Sequence, residues 1–530
     1  MAVAVAVVMA AAVVAVAATD SAPPLGPAQL RAALAAVMLT ILLAALDQTI
    51  VGVALPTIGR ELGGFEWMAW VISGYLIACV VVTPLYGRLG DMIGRRRVLS
   101  IAIVIFVVAS VGCALAQTLP QLVLARVLQG VGGGGLLATS QAVIADVVPL
   151  RERGRYQGYI SIVWAVASLL GPVVGGLLTH YLSWPWIFWI NLPLGLAAWL
   201  MVRRSLPALP LRPSDARLDV LGALLLLAGL TALLVPITRV GQGTPWSDAA
   251  NLGGWALAVA LLAVFMAQQR RQRDAIVPLA LLRNRAVVAC CAMLFICFFN
   301  FVALSVLVPL RLQLAAGYSA ADAALRLLPL TLAIPAGAYL SGRRLHATGR
   351  VLPMQRLGVV LVPLALATLG FTGATGFVAV AALVVLGLGS GMQLPTSLIT
   401  VQQAVPRAQV GTVTALTAFS RQLGGAVGIA VLSALVLLLL REHLPAGVTA
   451  LDADGLGRLL DAARASAARP PGAAGALGAP LAADAAFRTV LRVSAVVSLA
   501  SLWFVTRLPD LRFDDAPAAP RDAAAAAPEA

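Results

Sequence analysis

Tyr86-Gly87-Arg88-Leu89-Gly90-Asp91-Met92-Ile93-Gly94-Arg95-Arg96-Arg97 lies between two uninterrupted apolar runs, 67–87 and 97–117. A bilayer core of about 30 Å needs about 20 apolar residues per spanning helix, so this stretch reads as two spans joined by a short basic loop. The same pattern recurs outward in both directions. Apolar windows bounded by charge, Gly and Pro predict helices near 32–55, 67–87, 97–117, 120–143, 156–180, 184–202, 218–238, 251–268, 286–309, 324–342, 354–374, 376–400, 411–440 and 488–506, fourteen in all. These runs are continuous rather than alternating, which excludes a transmembrane β-barrel. With 530 residues, 61% hydrophobic and 11% charged, the chain has too little polar surface to cover a soluble globule. The fold class expected is an all-α polytopic membrane protein.

A net charge of +15 suggests nucleic acid in a soluble protein. Here every basic residue other than three His is Arg, and the arginines cluster between apolar segments. Connections carrying Arg88, Arg95, Arg96 and Arg97, then Arg151, Arg153 and Arg155, then Arg203, Arg204, Arg212 and Arg217, then Arg270, Arg271, Arg273, Arg283 and Arg285, then Arg343, Arg344 and Arg350 alternate with connections nearly free of Arg. The positive-inside rule puts the arginine-rich set and both termini in the cytoplasm, which requires an even number of spans; fourteen satisfies it. Trp184, Trp186 and Trp189 fall at the outer end of the sixth helix, where amphipathic rings favour the interface. The long outward connection 441–486 mixes Asp and Arg with Ala, Gly and Pro and reads as mobile. Residues 1–18 lack the basic start of a cleavable signal and are not counted as a span.

The loop quoted above has a second copy. Gly342-Arg343-Arg344-Leu345-His346-Ala347-Thr348-Gly349-Arg350 follows the tenth predicted helix with Gly, Arg, Gly and Arg at the spacing of Gly87, Arg88, Gly94 and Arg95. If helices 1–6 correspond to 9–14, helices 7 and 8 are an inserted pair joining two six-helix bundles, as in transporters built from parallel repeats. The expected layout is an extension 1–31, a bundle 32–202, a linker 203–285 with two helices, a second bundle 286–506 containing the 441–486 loop, and a disordered cytoplasmic tail 507–530.

Further stretches carry a family resemblance. Leu46-Asp47-Gln48-Thr49-Ile50-Val51-Gly52-Val53-Ala54-Leu55-Pro56 and Gly87–Arg97 are two of them, and Leu124-Ala125-Arg126-Val127-Leu128-Gln129-Gly130-Val131-Gly132 is a third. Gly171-Pro172-Val173-Val174-Gly175-Gly176, Trp186–Gly195 and Arg421-Gln422-Leu423-Gly424-Gly425-Ala426-Val427-Gly428 complete the set. Together they resemble the signatures of the major facilitator superfamily, and within it the fourteen-span drug:proton antiporters of the EmrB/QacA type. Gly52 stands where Asn is usual, and Pro185 where Arg is usual. The resemblance implies a multidrug efflux permease of the bacterial inner membrane, driven by the proton gradient without a cofactor. Its fourth-helix motif is linked to proton coupling, and its fifth-helix motif, Gly171, Pro172, Gly175 and Gly176, marks antiporters.

Asp47 sits well inside an apolar helix, where a charge costs about 2.5–3.5 kcal/mol on insertion scales, so it is the candidate proton carrier. Arg126, two turns into the fourth helix, cannot lose its proton and must find an acceptor. We expect it to meet Asp47 or first-helix carbonyls, directly or through water; the competing reading of Asp47 is a structural ion pair or a cap. Gly87, Arg88, Asp91, Gly94, Arg95 and Arg96 are expected to form a conformational lock, weaker in the second copy, where His346 replaces the acid. The glycines of the fifth helix and Gly424, Gly425 and Gly428 of the thirteenth are expected to make a symmetric pair of close crossings at the interface between bundles. Arg421, beside Gln422, is a second cation in or near the membrane, with a snorkelling anchor as its plainer reading.

Cys79, Cys113, Cys290, Cys291 and Cys297 fall in predicted spans without metal-ligand spacing, and His180, His346 and His443 lie far apart, so no metal site is expected. No Gly-Lys-Ser/Thr phosphate loop is present, which argues against ATP hydrolysis and an enzyme. Trp67, Trp70, Trp164, Phe298, Phe299 and Phe301 are candidate substrate walls. Asp47 reads as the only deeply placed carboxylate, which favours neutral or monovalent lipophilic substrates. Membrane lipid and small lipophiles are the expected partners, a periplasmic adaptor is a further candidate, and nucleic acid is not expected. Rival readings are a proton-coupled importer and a permease subunit that depends on an adaptor and an outer-membrane channel.

Overall fold

The structure is a computed structural model that describes residues 27–63, 67–148, 153–206, 219–241, 244–272, 275–276, 279–318, 320–406, 409–443 and 478–509. Lipid offers backbone N–H and C=O groups no partners, so a chain this apolar must satisfy them within helices. Fourteen long helices follow among the described residues: α1 (Pro27–Leu62), α2 (Met68–Ile93), α3 (Arg95–Ala114), α4 (Leu119–Val147), α5 (Arg153–Tyr181), α6 (Asn191–Ser205, after the single turn Trp186–Trp189), α7 (Val220–Gly241), α8 (Ala249–Gln269), α9 (Arg285–Ala316), α10 (Leu328–Thr348), α11 (Leu352–Phe371), α12 (Phe377–Gln403), α13 (Val410–His443) and α14 (Gly478–Val505). Thirteen spans are long and apolar enough to cross a membrane by composition alone. The other, α10, has 21 residues, but its prolines and its terminal Arg343, Arg344 and His346 dilute it.

The ends are set by local chemistry. Thr118 caps α4 through Gln121 N–H, Asp248 caps α8, and Asn284 caps α9 while donating to Ala404 O at 2.9 Å, which ties the start of α9 to the end of α12. Gly94 at φ 90° breaks α2 from α3, and Gly349 at φ 65° ends α10. Both are conformations that a side chain disfavours. These two glycines occupy matching positions of the repeated loop, so the repeat is one of backbone as well as sequence.

The helix pairing makes the repeat plain. In the first half α1 packs on α5 and α6, α2 on α4, and α3 on α4 and α6; in the second, α9 packs on α13 and α14, α10 on α12, and α11 on α12 and α14. Between the bundles α2 meets α13 and α5 meets α10, which the repeat relates to one another. The α7–α8 hairpin departs from this symmetry. Leu226, Leu230 and Leu234 of α7 and Phe265 of α8 join the first bundle's apolar core, and α7 also touches α13 beside one seam.

Three expectations change. The outward connection expected over 441–486 is shorter, because α13 runs on to His443 and α14 starts at Gly478; 444–477 lies outside the described residues, as do 1–26 and 510–530. Of the interface tryptophans, Trp186 is 48% exposed, but Trp184 is 4% exposed and packs edge-on against Phe188. Asp47 is not alone as an acid within the helices. Asp484, early in α14, pairs with the buried Arg311 of α9 at 2.8 Å and with Arg488 at 2.7 Å.

Candidate functional site

Asp47 lies on the face of α1 turned toward α4 and is 1% exposed, as is Arg126. Arg126 Nη1 donates to Asp47 Oδ2 at 2.6 Å. The other carboxylate oxygen accepts from Gln129 Nε2 and Asn191 Nδ2, each at 3.0 Å. Gln129 sits three residues after Arg126, on the same helix face. Its Oε1 accepts from Arg126 Nη1 at 2.7 Å, and Ser110 Oγ of α3 accepts from both amides, at 3.0 Å from Gln129 and 2.9 Å from Asn191. The guanidinium completes its set with Val71 O of α2 at 3.2 Å and the Tyr75 ring at 4.2 Å. The pairing is therefore direct, and the carbonyl Arg126 uses belongs to α2 rather than to the first helix.

Five helices of one bundle thus join one network around the Asp47 carboxylate, which itself takes bonds from α4 and α6. A buried charge is tolerated only when paired and hydrogen-bonded, and here both oxygens are engaged. Sequence reading named Asp47 and Arg126; it quoted Gln129 and Asn191 within motifs without giving them a part, and it missed Ser110. The available signal was polarity: Gln129, Asn191 and Ser110 are amide or hydroxyl side chains inside otherwise apolar helices.

The motif glycines act on the same helix. A Cβ on Gly171 would collide with Thr49, and one on Gly175 would lie 3.0 Å from Ile50 O, so α5 rides close on α1 two residues beyond Asp47. Thr49 Oγ1 crosses the gap to donate to Ala167 O at 2.9 Å. Gly176 faces open space, and Pro172 contributes its place in the same helix. In the second bundle Gly424 and Gly428 press on the backbone of α9 at Phe295 and Phe299, and Gly425 on Val302. The crossings are symmetric as expected. They lie within each bundle, however, not between bundles, because small residues are needed where neighbours of one bundle pack most tightly.

At the arginine-rich end, Asp91 accepts from Arg95 Nη2 at 2.6 Å and from Thr412 Oγ1, in the first turn of α13, at 2.8 Å. Arg95 is 8% exposed and reaches Asp146 of α4 through Nε at 2.6 Å, a partner sequence reading did not find. An anion at the start of α13 also suits that helix's dipole. Gly87 lets α2 approach Ala415, Gly94 makes the break that turns Arg95 back, Arg88 is partly buried, and Arg96 donates to Arg203 O. Deeper in the seam, Gln422 Nε2 donates to Thr83 Oγ1 at 3.0 Å. In the second copy Arg343, Arg344, His346 and Arg350 are exposed and, among the described residues, make no ion pair.

The aromatic candidates divide. Phe298 lies under the Arg421 guanidinium, 5.3 Å from it, and meets Phe301 edge-on. Phe299 stacks on Phe295 inside the second bundle, Trp70 and Trp164 pack on the first bundle's core, and Trp67 is 40% exposed. Among the described residues no cluster of His, Cys, Asp and Glu could hold a metal ion.

A family model described as Major Facilitator Superfamily matches residues 37–429. An uncharacterised MFS-type transporter of Mycobacterium tuberculosis is 35% identical over 429 residues, 81% of this chain; the chain spans 62% of that relative's length. The multidrug transporter protein MdtP of Bacillus subtilis is 29% identical over 402 residues, 75% of this chain and 74% of MdtP. Among solved structures, the human organic anion transporter MFSD10 shares the fold at a TM-score of 0.60 with 18% identity, over 91% of this chain and 100% of that one. Repeat, helix pairing and family model agree, and the chain belongs to the Major Facilitator Superfamily.

Proposed function

We propose that the chain exports drug-like lipophilic molecules across a bacterial inner membrane in exchange for protons, by alternating access between its two bundles. The observation that carries this reading is the Asp47–Arg126 pair, closed to solvent at 2.6 Å and satisfied on both carboxylate oxygens. The name of the Bacillus relative, a multidrug transporter, supports the substrate class. The positive-inside rule puts the arginine-rich end, with both chain termini, in the cytoplasm.

Asp47 as a carboxylate only accepts hydrogen bonds; a proton on it turns one oxygen into a donor and sets Arg126 seeking another acceptor. The pair is thus a two-state element within α1 and α4. α5 couples it to the seam, since it rides on α1 at Gly171 and Gly175 and faces α10 where a Cβ added at Gly158 would lie 3.5 Å from Tyr339. Opening the cytoplasmic end would part Thr412 from Asp91 and Gln422 from Thr83. Rocking of one bundle against the other, which this geometry suits, then exchanges a proton on Asp47 for substrate between the bundles.

Everted vesicles test the reading. A pH gradient should drive uptake of a fluorescent lipophilic drug by the natural protein and by Asp47→Glu, and uptake should vanish in Asp47→Asn. Full transport by Asp47→Asn refutes the proton role, uptake into whole cells on external acidification replaces export with symport, and transport only with a periplasmic adaptor makes the chain a permease subunit.

A further inference from the structure

Arg421 lies within a membrane-spanning helix with no acid paired to it among the described residues. Arg95, Arg126 and Arg311 each face a carboxylate at 2.6–2.8 Å. Arg421, in the middle of α13, has the Phe298 ring against its guanidinium, and its Nε is shut from solvent without a hydrogen-bond partner. Its neighbour Gln422 is committed to Thr83 across the seam. Arginine keeps its charge, so a cation held inside the membrane without an acid is a functional feature by default.

The pocket it enters is built from both bundles. Gln141 of α4 and Gln157 of α5 stand on one side, Thr414, Thr417 and Arg421 of α13 on the other, and Leu294 of α9 adds an apolar wall. The polar lining is amide, hydroxyl and guanidinium, and no carboxylate lines it. Gln157 Nε2 donates to Gln141 Oε1, and Thr417 Oγ1 to Thr414 O, so these groups are held by the protein and neither brings a charge to the guanidinium. With one guanidinium face on Phe298, the open edge presents N–H donors in a plane, a match for a carboxylate. With the arginine-rich end closed by the Asp91–Thr412 contact, the lining residues leave the pocket too narrow for a lipophilic ligand, which enters only when the bundles part.

We propose that Arg421 is the subsite for an anionic group on the transported molecule, and that the substrates include lipophilic monocarboxylates whose apolar body rests on Leu294, Leu394 and Leu398. This rests on the efflux reading and narrows its substrate class. It also gives substrate and proton separate sites, Arg421 between the bundles and Asp47 inside the first.

The test uses the full chain, purified in detergent and titrated with 11-(dansylamino)undecanoate and with its methyl ester. The carboxylate should bind the natural protein about tenfold or more tightly than the ester, a ratio expected of a charge-assisted pair. Arg421→Gln should bring the ratio close to one, and Arg421→Lys should keep most of it. Equal binding of acid and ester by the natural protein overturns the proposal without any variant. A preference that survives in Arg421→Gln overturns it too, as does displacement of the acid by phosphatidylglycerol with no efflux of the acid. Efflux of the ester driven by a pH gradient, without carboxylate preference, leaves the efflux reading standing and removes this one. An Arg421-dependent preference with no pH-driven transport of either probe does the reverse.

Discussion

The two bundles share a helix-pairing pattern but not a polar interior. In the first, α1 and α6 meet through Asp47 and Asn191, with Arg126 of α4 on the other oxygen of the same carboxylate. In the second, the related helices α9 and α14 meet at the matching depth through neutral groups, Asn300 donating to Ser498 at 3.0 Å, and pair their charges, Arg311 and Asp484, only near the helix ends. The second bundle's charges sit elsewhere: Arg311 ties Asp484 to the last carbonyls of α11 at Leu369 and Thr372, and Arg421 faces the seam. Duplication thus preserved what packing requires, the glycine crossings and the loop glycines. The charges differ, and that difference is what the proposed proton site on one side and ligand site on the other rest on.

The largest expected difference comes from removing one partner of the first bundle's pair. Arg126→Leu leaves Asp47 buried and uncompensated and should cost about 3–5 kcal/mol, while Asn300→Leu should cost about 1 kcal/mol; thermal melts of both proteins in detergent measure this. Asp47→Asn combined with Arg126→Gln should recover much of the stability but none of the pH-driven transport, and recovered transport would show that the pair is structural. Next come the crossings. Gly428→Leu, forced against Phe299 O, should cost about 1–3 kcal/mol by overpacking, whereas Gly176→Ala, with nothing near it, should change stability by less than about 0.5 kcal/mol. The smallest contrast is between the two loop copies. Asp91→Asn should lose about 1 kcal/mol and raise cytoplasmic-end opening, read as distance between spin labels on α2 and α13. His346→Ala should stay within about 0.5 kcal/mol and leave that distance unchanged.

Span number, the repeat and the two costly charges of the first bundle were legible in the sequence, because each is a question of composition along the chain. An acid at 47 and an arginine at 126 stand out against apolar runs whatever their partners are. Their partners were not legible. Asn191 lies 144 residues from Asp47, and Asp146 lies 51 from Arg95, and only folding brings them together. Arg421 read as a second cation in or near the membrane, with a snorkelling anchor as the plainer alternative, for the same reason: nothing in its neighbours along the chain says whether it points to lipid, to headgroups or to the seam.

A soluble helix advertises its buried face by an apolar stripe, but a helix that is apolar all round has no stripe, so its rotation about its own axis is unspecified until it packs. The sequence by itself therefore determined how many helices there are, that they come in two related sets, and which charges had to be satisfied. The tertiary structure decided which way each helix faces. That choice gave Asp47 and Arg126 to each other and left Arg421 facing the space between the bundles.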